Sequence, residues 1–92
     1  MSQPLNANDV VIVGAVRTPI GRFRGSLAGV RADHLGAVVL DELITRAGLE
    51  PESVDDVIFG CVTQIGEQSA NIARTSLLGA GWPCTIPGLT ID

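Results

Sequence analysis

Two thiols, one imidazole and a cluster of guanidinium groups are the side chains of this sequence best suited to chemistry, and their spacing limits what each could do. Cys61 closes an apolar stretch and precedes a polar loop, where an active-site residue could sit, yet the sequence places no base or cation beside it. It reads as a small buried cysteine, and Cys84, between Pro83 and Thr85, has still less to support a reactive role. Neither fits a CxxC or Cys/His spacing, which removes zinc and redox-pair readings. His34 falls in the first turn of an expected helix with no Ser, Cys or carboxylate motif beside it, so it reads as a capping or surface residue. Asp55 and Asp56 are adjacent, point to opposite faces of an extended chain and cannot work as an acid/base pair.

The glycines Gly21, Gly25 and Gly29 suggest a phosphate cradle, but their spacing fits neither the dinucleotide fingerprint nor the Walker pattern, which needs a lysine. The chain has no lysine. Four of its arginines, Arg17, Arg22, Arg24 and Arg31, surround this glycine-rich stretch and make a local basic patch within a net charge of −4. Arginine serves anion binding and protein interfaces alike, and the interface or intrachain role is preferred here.

Composition narrows the class further. The chain is 46% hydrophobic and only 17% charged, so much of its surface expects to be covered. Phe23, Phe59 and Trp82 are the only aromatics, too few for stacking on bases, and the acidic balance opposes binding to nucleic acid. The start of the chain lacks an apolar leader and no run approaches a membrane span, which predicts a cytoplasmic protein with reduced cysteines.

These residues must be held by elements, and the apolar pattern predicts five. Val10 to Val16 reads as a strand buried on both faces, after a flexible tail over Met1 to Asp9. A helix begins near Asp33 and stops at Gly48, with Leu35, Val38, Val39, Leu43 and Ala47 as its apolar stripe, widened by Leu40 and Ile44. Val57 to Val62 is a second strand, followed by a polar loop from Thr63. Ser69 or Asn71 caps a second helix running to about Ala80, with Ile72, Ala73, Leu77 and Leu78 inward, ended by Gly81 and Pro83. Trp82 seals an apolar edge or an interface, and Gly88 to Asp92 begins a third strand. Strand, helix, strand, helix, strand is α/β architecture of crossover units. An unfinished last strand leaves backbone groups unpaired, so truncation, cleavage or a missing partner is expected.

Three stretches together resemble the start of thiolases: Val11 to Gly21 with its Arg17-Thr18-Pro19 turn followed by Phe23, Gly25 and Leu27; Val57 to Val62; and Asn71-Ile72-Ala73-Arg74. Gly81-Trp82-Pro83 adds a similar punctuation. The loop Thr63 to Ser69 is longer than in many biosynthetic thiolases and more like that of lipid- or steroid-degrading bacterial ones. Asp92 stands where the family often has Asn in Asn-x-x-Cys-x-Ser-Gly.

The resemblance implies a thiolase-like α/β/α fold, with residues 10–92 as a partial N-terminal domain. It implies a coenzyme A thioester as substrate, with acyl transfer through a cysteine thioester. By this alignment the nucleophile is the third residue after Asp92, so Cys61 and Cys84 do not inherit its role, and the chain alone would bind no cofactor and be inactive. Gln64, Gln68, Asn71 and Arg74 would form part of a pocket wall or dimer interface. The expected partners are the remaining thiolase sequence or a companion polypeptide in a homodimer or homotetramer. The first strand would lie apart from the other two, separated by later strands. Two alternatives stand beside this: a thiolase-like scaffold or subunit that holds lipid or coenzyme A without turnover, and an independent small anion-binding domain using the arginine loop.

Overall fold

The computed structural model describes residues 4–92; the first part of the expected tail, residues 1–3, lies outside the described residues. Its elements are helix α1 (Ala32–Ala47), strand β1 (Val57–Gly60), helix α2 (Ile72–Gly79) and strand β2 (Gly88–Ile91), with short 3-10 turns at Pro51–Ser53 and Gly66–Gln68. β1 and β2 pair in parallel with Val57 opposite Gly88 and Gly60 opposite Ile91, and α2 is the crossover between them.

Each helix has a legible start or stop. Gly48 adopts the left-handed conformation that closes α1, at φ 69°, where a side chain would be strained. Asn71 caps α2 by accepting a hydrogen bond from the Arg74 amide. The first turn of α1 carries no side-chain cap of its own; instead the Ala32 amide donates to Glu67 Oε1 at 2.9 Å, from the loop after β1. A distant carboxylate thus satisfies one of the free amides at this helix end.

The core lies where α1 and α2 meet the two strands: Leu40, Val57, Ala73, Leu77, Trp82 and Ile86 are buried together, with Ile44, Val54, Phe59 and Ala80 packed against them. Trp82 seals this core and satisfies its indole by donating to Asp41 Oδ1 at 3.0 Å. The buried side of α1 is centred on Ala37 and Leu40. Val38, expected in its apolar stripe, is 49% exposed, and Leu78, expected inward on α2, is 44% exposed.

The largest departure from the sequence reading is the first segment. Val10 to Val16 forms no strand among the described residues, with Val10 97% and Ile12 91% exposed. An apolar β-branched run becomes a strand only when another strand accepts its backbone hydrogen bonds, and here the sheet is two-stranded and built from β1 and β2. The run nevertheless lies along α1: a Cβ on Gly14 would stand 3.4 Å from Leu43 Cδ1. Between it and β1 is an open apolar trough lined by Val13, Leu43, Val54, Ile58 and Trp82 among others. The second strand is also shorter than expected, ending at Gly60, although Cys61 N still donates to Ile91 O at 2.8 Å.

α1 approaches α2 and β1 tightly at Gly36, where an added Cβ would collide with Ser76 Oγ and stand 2.9 Å from Phe59 Cε2. Gly36→Ala is therefore expected to destabilise the protein by roughly 1–3 kcal/mol, as overpacking of a rigid contact does. Urea denaturation checks this, and an unchanged midpoint would contradict the contact.

Candidate functional site

Because β1 and β2 run in parallel, their C-terminal ends share one edge, and the loop from Cys61 to Ala70 starts from it at the end of β1. In open α/β sheets this is the edge where ligands bind. A recess of about 260 Å³ opens here, lined by Thr18, Gly36, Phe59, Cys61, Gln68 and Ile72 among others. Thr18 brings the end of the unpaired first segment to the same place.

The loop is held by its own glutamines. Gln64 Nε2 donates to the Cys61 carbonyl at 3.2 Å, and Gln68 Nε2 donates to the Thr63 carbonyl at 2.6 Å. Cys61 is half-buried and its thiol contacts the Thr63 carbonyl at 3.5 Å, whereas Cys84 is exposed. Among the described residues neither thiol is hydrogen-bonded to a histidine or carboxylate, the pairing that activates a cysteine. His34 is exposed on the first turn of α1.

At Ala70 the backbone turns through the left-handed region, φ 62°, before Asn71 opens α2. Asn71 and Arg74 then spend their polar atoms on neighbouring backbone and on Thr90. Asn71 Oδ1 accepts from the Arg74 amide at 3.1 Å and from Thr90 Oγ1 at 2.7 Å, while its Nδ2 donates to the Gly88 carbonyl at 2.7 Å. Thr90 Oγ1 in turn accepts from the Ala73 amide at 3.3 Å. The Arg74 guanidinium donates to the carbonyls of Ile86 at 2.6 Å and Cys84 at 2.8 Å. Gly88 is indispensable here, since a Cβ would lie 2.8 Å from the Arg74 amide nitrogen.

Of the four polar residues singled out by sequence, Gln68 therefore lines the recess, Gln64 braces its loop, and Asn71 and Arg74 bind α2 to β2. Sequence reasoning missed Thr90 and Glu67. Thr90 sits at an ordinary strand position, and Glu67 reaches a helix 35 residues away, so neither carries a local signal. The arginines flanking the glycine-rich loop are exposed; Arg31 pairs with Asp33 at 3.0 Å and Arg24 lies 5.0 Å over the Phe23 ring. Gly25, Ala28 and Val30 donate to carbonyls within that loop, which is a chain of tight turns.

This is a strand–helix–strand crossover unit of a layered α/β domain, with a polar loop following β1 and with β2 braced by α2. Residues 10–92 match the family profile described as thiolase, N-terminal domain. The chain is 54% identical over 85 residues to a beta-ketoadipyl-CoA thiolase of Pseudomonas putida, covering 91% of this chain and 21% of that protein. It is 46% identical over 84 residues to a steroid 3-ketoacyl-CoA thiolase of Mycobacterium tuberculosis, again 91% against 21%. The crystal structure of the Bacillus anthracis acetyl-CoA acetyltransferase superposes with a TM-score of 0.77 at 46% identity, covering 88% of this chain and 20% of that one. The chain belongs to the thiolase family. It spans about a fifth of the length of the curated relatives it matches.

Asn71→Ala removes a helix cap, takes the side-chain donor from the part-buried Gly88 carbonyl and deprives the Thr90 hydroxyl of its acceptor, though Thr90 Oγ1 still accepts from the Ala73 amide. Loss of such a cap costs about 1 kcal/mol and each buried polar group left unpaired about 1–3 kcal/mol, so a total of roughly 2–4 kcal/mol is expected by urea denaturation. Asn71→Asp, which keeps both acceptor interactions, should lose less.

Proposed function

We propose that this chain is the N-terminal scaffold of a thiolase-type acyltransferase that exchanges acyl groups between acyl-CoA and coenzyme A, or a carbanion, through a cysteine thioester. What carries the reading is the superposition on an acetyl-CoA acetyltransferase across nearly the whole chain, supported by thiolase relatives at about half identity.

In the first step a cysteine thiolate attacks the acyl carbonyl; a new sulfur–carbon bond forms, the bond to the coenzyme A sulfur breaks, and coenzyme A leaves as a thiol after gaining a proton. In the second step the acyl group passes to another coenzyme A or a carbanion and the cysteine is freed. Donors aimed at the developing oxyanion lower both barriers. We place the nucleophile on the sequence that follows β2, the third residue after Asp92, and assign it to neither Cys61 nor Cys84. In this reading the 92 residues are inactive alone, and the remaining thiolase sequence or a companion polypeptide completes the site within a dimer or tetramer.

Relatives named for beta-ketoadipyl and steroid 3-ketoacyl thioesters support a 3-ketoacyl-CoA as substrate or product, with the acyl group left open. Two free cysteines support a reducing, cytoplasmic setting, and no helix among the described residues is long and apolar enough to cross a membrane.

The test is acyl trapping. The complete acyltransferase containing this chain is incubated with radiolabelled acetyl-CoA, quenched, digested and mapped. The label is expected on a cysteine beyond β2, with Cys61→Ser and Cys84→Ser variants labelled to within about twofold of the parent, as substitutions that leave transition-state contacts intact should be. The 92-residue chain alone takes up none. Label on Cys61 or Cys84 would overturn the assignment, and coenzyme A binding without any label would favour a non-catalytic lipid- or coenzyme A-binding subunit.

A further inference from the structure

The polar bonds between α2 and β2 do more than join two elements, because they grip the strand at defined residues. Asn71 holds the carbonyl of Gly88, and Asn71 with the Ala73 amide holds the hydroxyl of Thr90. The Thr90 side chain points to the α2 face of the strand, and the Gly88 carbonyl is held by the residue that opens α2. On its hydrogen-bonding edge β2 is fixed by the ladder to β1, which continues to the bond from Cys61 N to Ile91 O. Just upstream, Arg74 pins the carbonyls of Cys84 and Ile86.

The strand therefore has one register. A slip of one residue would turn Thr90 away from Asn71 and set Leu89, now 51% exposed, against the polar start of α2. It would also bring a side chain to the place now held by Gly88, where a Cβ stands 2.8 Å from the Arg74 amide nitrogen.

We infer that Asn71, Arg74 and Thr90 act as positioning residues for the nucleophile, by fixing the height and direction at which the chain leaves β2. The inference rests on the proposed function, in which the nucleophile follows β2 within a few residues. Acyl transfer requires the attacking sulfur at near-contact distance from the carbonyl carbon, and a displacement of about 1 Å at a site remote from the chemistry can reduce the rate about a hundredfold. Thr90 is the informative member, since its hydroxyl both accepts from α2 and donates to Asn71, and valine replaces it without changing its shape.

The experiment compares wild type, Thr90→Val, Thr90→Ser and Asn71→Ser in the complete acyltransferase. The readouts are the single-turnover rate of acyl-enzyme formation from acetyl-CoA, KM, the pH profile of nucleophile alkylation by iodoacetamide, and the melting temperature. Thr90→Val is expected to slow acylation about ten- to a hundredfold with KM changed by less than about threefold, and Thr90→Ser to restore most of the rate. Asn71→Ser, which keeps a cap but loses the donor to Gly88, should slow acylation as well and decides the matter if Thr90→Val does not fold. Acylation at the wild-type rate in folded Thr90→Val, or in Asn71→Ser, with only a lower melting temperature, would show that the network serves stability alone and overturn the inference. Absence of acyl label on the wild-type enzyme would instead overturn the proposed function beneath it.

Discussion

The structure depends on how closely helix α2 can approach its neighbours. On one side Gly36 lets α1 close onto Ser76 and Phe59; on the other Gly88 lets β2 close onto the backbone of Arg74. These contacts leave no space for a single added methyl group, and between them Ala73, Ser76 and Leu77 become fully buried. Once α2 is fixed this tightly, the crossover between β1 and β2 has one geometry, and the loop from Cys61 to Ala70 is set between the end of β1 and the start of α2.

Polar groups follow from that packing. A helix start pressed against a strand brings free amides and a strand carbonyl into an apolar setting, where each needs a partner. Asn71 is suited to the place because its side chain carries both an acceptor and a donor, used toward Arg74, Thr90 and Gly88. Arg74 is suited to the adjoining loop because a planar guanidinium can satisfy two carbonyls at once. Glu67 performs the matching service for α1, tying the loop to the helix that faces the recess. Around the C-terminal end of β1 and the start of α2, the side chains of Gln64, Gln68, Glu67, Asn71 and Arg74 are thus spent largely on bracing backbone.

Two kinds of surface remain. The core is sealed at Ala73 and Leu77, while Leu40 and Trp82 also form the floor of the open apolar trough between Val13 and Ile58. The difference lies in available partners, because β1 and β2 satisfy each other and the Val10 to Val16 run has no strand beside it among the described residues. The same constraint explains why Val10 and Ile12 are almost wholly exposed although their pattern is that of an interior strand.

Local chemistry made much of this legible. Gly48 and Asn71 mark helix boundaries because their conformational freedom and capping atoms act within a few residues, and the Val57 and Gly88 strands announce themselves by apolar runs between turn residues. The serial order of the Arg17-Thr18-Pro19 turn, the Val57 strand and Asn71-Ile72-Ala73-Arg74 was enough to place the chain with the thiolases. What the sequence by itself determined is therefore the succession of α1, β1, α2 and β2, the caps at Gly48 and Asn71, and the family. Tertiary structure alone decided that Val10 to Val16 stays unpaired, that Leu78 turns outward, that Glu67 caps a helix 35 residues away, and that Thr90 joins Asn71 and Arg74 in one network. Caps and periodicity act between near neighbours in the chain, whereas pairing, burial and long-range hydrogen bonds depend on which distant segments are brought within a few ångströms.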